Sequence, residues 1–193
     1  MRIHRQTGVL AAGVLIAALA AAGRDTKAET VTFDPAQSKV EFTLGDVLHT
    51  VHGAFKLTRG SVQFDPENGK ASGELVIDPK SGDSGSGARD SRMKSNILEA
   101  DKYPEITFRP DYIKGPVPEG GSGHVDVHGV FRIHGADHEL TLPVDVERSG
   151  QRLTMKTHFD VPYVQWGMKN PSTFLLKVDK TVRIDIHSVG QLQ

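Results

Sequence analysis

The chain has no cysteine. No disulfide can brace it in an oxidising compartment, and no thiolate is on hand as a nucleophile or metal ligand. Aromatic residues are few, 6% of the total, with a single tryptophan, Trp166. Neither sign of charge is in excess, since 23 Lys and Arg face 24 Asp and Glu. That balance argues against nucleic acid, and against wholesale attraction to an anionic membrane surface. There is no Gly-x-Ser-x-Gly elbow, and the glycine-rich stretch at residues 81–87 lacks the Lys-Ser/Thr ending of a phosphate-binding loop. The apolar run at residues 9–22 falls short of the roughly 20 residues that a membrane-spanning helix needs.

That run has another reading. Arg2 and Arg5 precede it, and small residues follow at Ala20, Ala22 and Ala28. This is the layout of a secretory signal peptide, with cleavage expected after Ala22 or Ala28. No Arg-Arg pair precedes the run and no cysteine follows it, so ordinary export without lipidation is expected, to the periplasm or beyond. Removing residues 1–28 takes away four basic residues and one acid, which leaves a net charge of −4 on residues 29–193. Those residues amount to one domain, held by apolar burial alone.

Within it, apolar and polar residues alternate repeatedly with period two. Val40, Phe42 and Leu44 do so, as do Val51 and Phe55, Leu75 and Ile77, Val125 to Ile133, Leu140 to Val146, Leu153 to Val161, and Val182 to Ile186. Strands with one apolar and one polar face belong to antiparallel sheets. Turn signals separate them: Asp65-Pro66-Glu67-Asn68-Gly69, the Gly/Pro stretch at 115–121, a three-residue turn at Gly135-Ala136-Asp137, and Ser149-Gly150-Gln151. About eight main strands suit a closed antiparallel barrel of lipocalin-like size; a two-sheet sandwich shares the same periodicity. One short helix is expected at residues 88–98, with Asp90 and Lys94 paired four apart and Met93 and Ile97 on one face covering the barrel end. The Ser/Gly-rich residues 79–87 before it read as a loop.

Three stretches carry a family resemblance. They are Val51-His52-Gly53-Ala54-Phe55, the segment from Arg89-Asp90 to Tyr103-Pro104-Glu105-Ile106-Thr107-Phe108, and Val127-His128-Gly129-Val130-Phe131-Arg132-Ile133-His134-Gly135 with Leu140-Thr141-Leu142-Pro143-Val144. In this order and spacing they resemble the YceI-like family of exported polyisoprenoid-binding proteins. The resemblance implies an all-β, lipocalin-like barrel around a long apolar tunnel, a bound isoprenoid or other long-chain amphiphile, and no agreed catalytic residues.

The inward faces then name a tunnel lining: Val40, Phe42, Leu44, Val51, Phe55, Leu75, Ile77, Phe108, Val127, Phe131, Leu142, Val144, Phe159, Val161 and Ile184. Small barrels can also fill their interiors with such side chains. A polar head group would need donors at a mouth, and Arg89, Lys94, Tyr163, Trp166, Lys169 and Asn170 are the candidates. Arginine suits a phosphate through its planar fork, although Arg89 could equally pair with Asp90 or another acid.

Nine histidines invite a metal reading. His124 and His128 share a strand face but stand roughly 13 Å apart, and His49 and His52 fall on opposite faces. His134 and His138 could approach across their hairpin. No spacing guarantees that three or four ligands converge, so no metal and no cofactor beyond a bound lipid is expected. The leading expectation is a non-enzymatic carrier that transports, stores or sequesters an amphiphilic lipid. The alternatives are an accessory protein docking to a membrane redox or quinone-handling protein, and an enzyme acting on an amphiphile.

Overall fold

The computed structural model describes residues 28–45, 49–174 and 177–193. Residues 1–27 of the expected signal peptide lie outside the described residues, as do residues 46–48 and 175–176. The described elements are β1 (Glu29–Phe33), β2 (Lys39–Gly45), β3 (Thr50–Phe64), β4 (Ala71–Asp83), α1 (Gly87–Arg92), β5 (Ile106–Lys114), β6 (Gly121–Ile133), β7 (Ala136–Ser149), β8 (Arg152–Val161) and β9 (Val182–Leu192).

Every strand pairing is antiparallel, and the sheet closes on itself. β1 and β2 both lie between β3 and β9, β1 against Ser61–Phe64 and β2 against Thr50–Phe55. They are one stave broken at residues 34–38, so nine strands make an eight-stranded barrel. The break is built by Asp34, whose carboxylate accepts the Ala36 N–H at 2.9 Å and whose carbonyl accepts the Ser38 hydroxyl at 2.7 Å. The hydrogen-bonded ring is continuous, which sets the sandwich aside.

β3 descends from the α1 end, here the upper end; β4, β6 and β8 climb to it. The upper end therefore gathers the end of β2 and start of β3, α1, the β6–β7 turn, and residues 162–174 and 177–181. The ring is not equally tight along its length. β4 and β5 pair only over Leu75–Ile77 and Ile106–Phe108, and β7 and β8 part above Val144 and Thr157. The β7–β8 seam is thus closed below and open above, while β4 and β5 are joined only at mid-height and by an isolated bridge between Lys70 and Tyr112.

Three local expectations change. β4 continues to Asp83 through residues read as a loop. It bulges there, and the Ser81 hydroxyl takes the Lys56 N–H at 2.8 Å where a ladder carbonyl would otherwise serve. The β6–β7 turn has two residues, not three. His134 and Gly135 both have positive φ, 52° and 79°, as the type I′ hairpin turn demands. The helix is α for six residues only and then widens into a π turn at Met93–Ile97, with Leu98 N–H donating to the Met93 carbonyl at 2.9 Å.

The family motifs acquire physical reasons. A Cβ on Gly53 would run into the ring of Phe42, its cross-strand partner, which also lies 5.3 Å from Phe55 between ring centres. A Cβ on Gly135 would strike Tyr103. Tyr103 lies across that turn with its ring 4.7 Å from His134, and so docks the end of the helical segment onto the β6–β7 hairpin.

Candidate functional site

Period-two alternation in a closed barrel sends every second side chain inward, and here the inward set does not fill the interior. Two apolar chambers lie in series. The upper one has a volume of about 540 Å³ and the lower about 140 Å³. Val40, Ile77, Phe131, Phe159 and Ile186 belong to the walls of both and form the waist between them. Phe131 and Phe159 meet edge to face there, at 5.6 Å between centroids.

All of the expected lining residues stand in one wall or the other. Phe42, Leu44, Val51, Phe55, Val161 and Ile184 face the upper chamber. Leu75, Phe108, Val127, Leu142 and Val144 face the lower. Met93 and Ile97 close the upper chamber from above, as their shared face suggested, together with Met168, Pro171 and Val178 from the loop after β8. The sequence reading passed over those three loop residues because no strand periodicity marks them. It also passed over Thr157, whose hydroxyl oxygen in the lower wall has no hydrogen-bond partner among the described residues.

The charge in the upper wall is of one sign. Arg89 and Arg92 are the charged residues in the upper wall among the described residues. The expected Asp90–Lys94 pair is not made. Asp90 is turned inward and only 8% exposed, and its Oδ1 accepts the Ser84 backbone N–H at 3.0 Å and the Ser84 hydroxyl. Arg89 pairs with neither Asp90 nor another acid among the described residues. It donates from Nε to Ser84 Oγ and from Nη2 to the Ser84 carbonyl, each at 2.7 Å. A buried carboxylate therefore orients a serine, and the serine fixes the plane of an arginine whose Nη1 is left for something else.

Of the other mouth candidates, Tyr163 lines the upper chamber, but its hydroxyl donates to the Asp179 carbonyl at 2.7 Å and burial raises its pKa. Lys94, Trp166, Lys169 and Asn170 lie outside the chamber walls. Trp166 stacks on His138 at 3.8 Å between centroids and packs 6.1 Å from Phe131, at the end where β7 and β8 part. Burial lowers the pKa of His138, which keeps its ring neutral against the indole.

The remaining histidines stay apart. His134 turns to Tyr103 and to Glu99, 3.5 Å away, and so does not meet His138. His124 and His128 bond separately to Asp145 at 2.9 Å and Asp111 at 2.6 Å. No group of three or more potential metal ligands converges among the described residues.

Comparison with known proteins agrees with this architecture. Residues 31–189 match the YceI-like domain, and the chain belongs to that family. A UPF0312 protein of Vibrio parahaemolyticus is 26% identical over 145 residues, covering 74% of this chain and 75% of that one. Among solved structures, Burkholderia cenocepacia BcnA superposes with a TM-score of 0.68 at 26% identity, over 81% of this chain and 98% of that one. A polyisoprenoid binding domain from Saccharophagus degradans, implicated in plant cell wall breakdown, gives 0.69 at 18% identity, over 84% and 98%. The latter shares the fold.

Proposed function

From membership in the YceI-like family and the chambered interior, we propose that this protein holds the tail of a long-chain amphiphile, a polyisoprenoid or long acyl chain, inside the barrel. The head group sits at the upper mouth, beside Arg89 and Arg92. The observation that carries this reading is the apolar column itself, two chambers in series, the upper one with two arginines in its wall. A filled core would leave no such column, and a typical catalytic pocket would carry convergent polar groups along its wall. The description of the Saccharophagus degradans domain as polyisoprenoid binding points the same way.

The energetics suffice without catalysis. Large ligands realise about 0.3 kcal/mol per heavy atom, so a chain of about 40 carbons reaches roughly 12 kcal/mol, or nanomolar affinity. The protein binds its ligand and does not transform it. With the leader at residues 1–28, its place of work is the periplasm, where it transports, stores or sequesters the lipid.

Mass spectrometry tests this, first on the native protein and then on its organic extract. A stoichiometric long-chain species supports the reading and names the ligand class. A folded protein that is empty as purified, and still empty after incubation with host lipid extract, refutes it.

A further inference from the structure

The two chambers are unequal, and their sizes bear on which tails fit. An apolar protein cavity of about 150 Å³ takes up benzene, about six carbons. At that density the upper chamber, about 540 Å³, encloses about 21–22 carbons, and the lower, about 140 Å³, encloses about 5–6. Together they take about 27 carbons, or about five isoprene units. The lower share is itself about one such unit. A tail of about 40 carbons therefore leaves about a third of its length outside.

The column also has an end. Val31, Phe64, Val146 and Leu153 stand in the lower wall, are buried, and belong with Leu192 to one packed cluster. They come from β1, β3, β7 and β8 where those strands reach the lower end. Val117 joins the wall from the loop after β5. Beside the waist, the parted β7–β8 seam is covered by Trp166, stacked on His138 and packed on Phe131. Among the described residues, the way onward for a tail that enters past Arg89 and Arg92 lies between the rings of Phe131 and Phe159, and it stops on the floor below. Carbons in excess stay at the mouth, in water, where no apolar area is buried.

We propose that the barrel measures its ligand. It selects tails of about 25 carbons, whose last five-carbon unit passes the waist and rests in the lower chamber. Phe131 and Phe159 control entry to that chamber, and Leu142 in its wall controls how much room it offers. This rests on the lipid-binding reading above, and adds to it the length of the tail and the residues that set it.

Competition among polyprenols tests it. Alcohols of 15, 20, 25, 30 and 40 carbons are offered to the purified protein, singly and as an equimolar mixture, and the retained species are read by native mass spectrometry. Affinity should rise about tenfold for each five-carbon unit up to about 25 carbons, and less than about twofold for each unit beyond. Leu142→Trp adds about six non-hydrogen atoms to the lower wall, enough to fill that chamber, and should move the optimum down one unit, to about 20 carbons. Phe131→Ala takes about six ring carbons out of the waist and should move it up one unit, to about 30. Urea unfolding shows which variants are folded; the length profile of the parent decides the matter even where neither is. Affinity that climbs unbroken to 40 carbons, a parent indifferent to length, or a folded Leu142→Trp that keeps the parent's optimum overturns the proposal and leaves the carrier reading standing. A parent that takes up no polyprenol of any length overturns both.

Discussion

Asp90→Ala should uncouple the mouth from the barrel. The carboxylate accepts two hydrogen bonds from Ser84, one from its backbone N–H at 3.0 Å and one from its hydroxyl. Hydrogen bonds to a charged acceptor contribute about 1.5–3 kcal/mol each. Ser84 is only half-buried, so water recovers part of the loss. The net cost should be about 2–3 kcal/mol, a large share of the 5–15 kcal/mol typical of a domain. With a urea dependence of about 2 kcal/mol per molar, the unfolding midpoint should fall by about 1–1.5 M. Asp90→Asn keeps an acceptor at the same reach and should lose less than half as much. A second effect separates this network from plain packing. The Ser84 hydroxyl gives its proton to Asp90, which turns a lone pair toward Arg89 Nε. Without Asp90 the hydroxyl is free to rotate, and the arginine plane is held only by the Nη2 bond to the Ser84 carbonyl. Affinity for an amphiphile with an anionic head should then drop about tenfold, while affinity for its neutral analogue holds, the difference being one charge-assisted hydrogen bond. A midpoint within 0.2 M of the parent, on the order of 0.4 kcal/mol, would refute the stabilising role. An equal loss of both ligands would refute the positioning role.

Three further outcomes follow from the same geometry. Leu44→Trp fills open space in the upper chamber, so it should cost less than about 1.5 kcal/mol in stability yet sharply reduce the lipid recovered by extraction from the purified protein. Gly135→Val places a β-branched residue at φ 79° and a Cβ into the Tyr103 ring; it should lower stability by at least about 2 kcal/mol in urea unfolding, with Ala intermediate. His128 has its pKa raised by the hydrogen bond to Asp111, so its stabilising contribution is complete below the unfolded value near 6.5 and is lost as pH rises through the higher folded value. Its imidazole resonances should titrate above that value, and Asp111→Asn should return the midpoint to it and remove this component of the fall in melting temperature with rising pH.

What could be read from residues alone divides along a physical line. Facing is set by parity: once a strand pairs on both sides in a closed barrel, alternate residues have one interior to share, and all the expected lining residues reached it. Whether that interior is empty depends on volumes and rotamers around the waist, which period two does not encode. β1 escaped notice because of its five residues only Val31 is fully buried, and its continuity with β2 across Asp34 exists only through shared neighbours. Residues 79–83 looked like a loop because Pro79 and the Ser/Gly composition argue against a ladder, yet Pro79 is buried and Ser81 supplies a side-chain acceptor. The Trp166–His138 stack joins residues from separate elements at the end where strands part, a place with no periodic signal.

The mouth shows the same line more sharply. Asp90 and Lys94 stand four apart, acid first, which on an isolated helix is a favourable pair. Here the helix is one turn and a half before its π turn, too short to stand by its own side-chain pairs. Its position is decided instead by what it must cover. Met93, Ile97 and Leu98 turn toward the cavity, which carries Asp90 inward to the residues leaving β4, and Ser84 is the donor waiting there. Tyr103, at the other end of the segment, is held by the glycine of a hairpin turn. The Arg-Asp and Tyr-Pro motifs are therefore the two anchors of one cover, the first tied to the residues leaving β4 and the second to the β6–β7 turn.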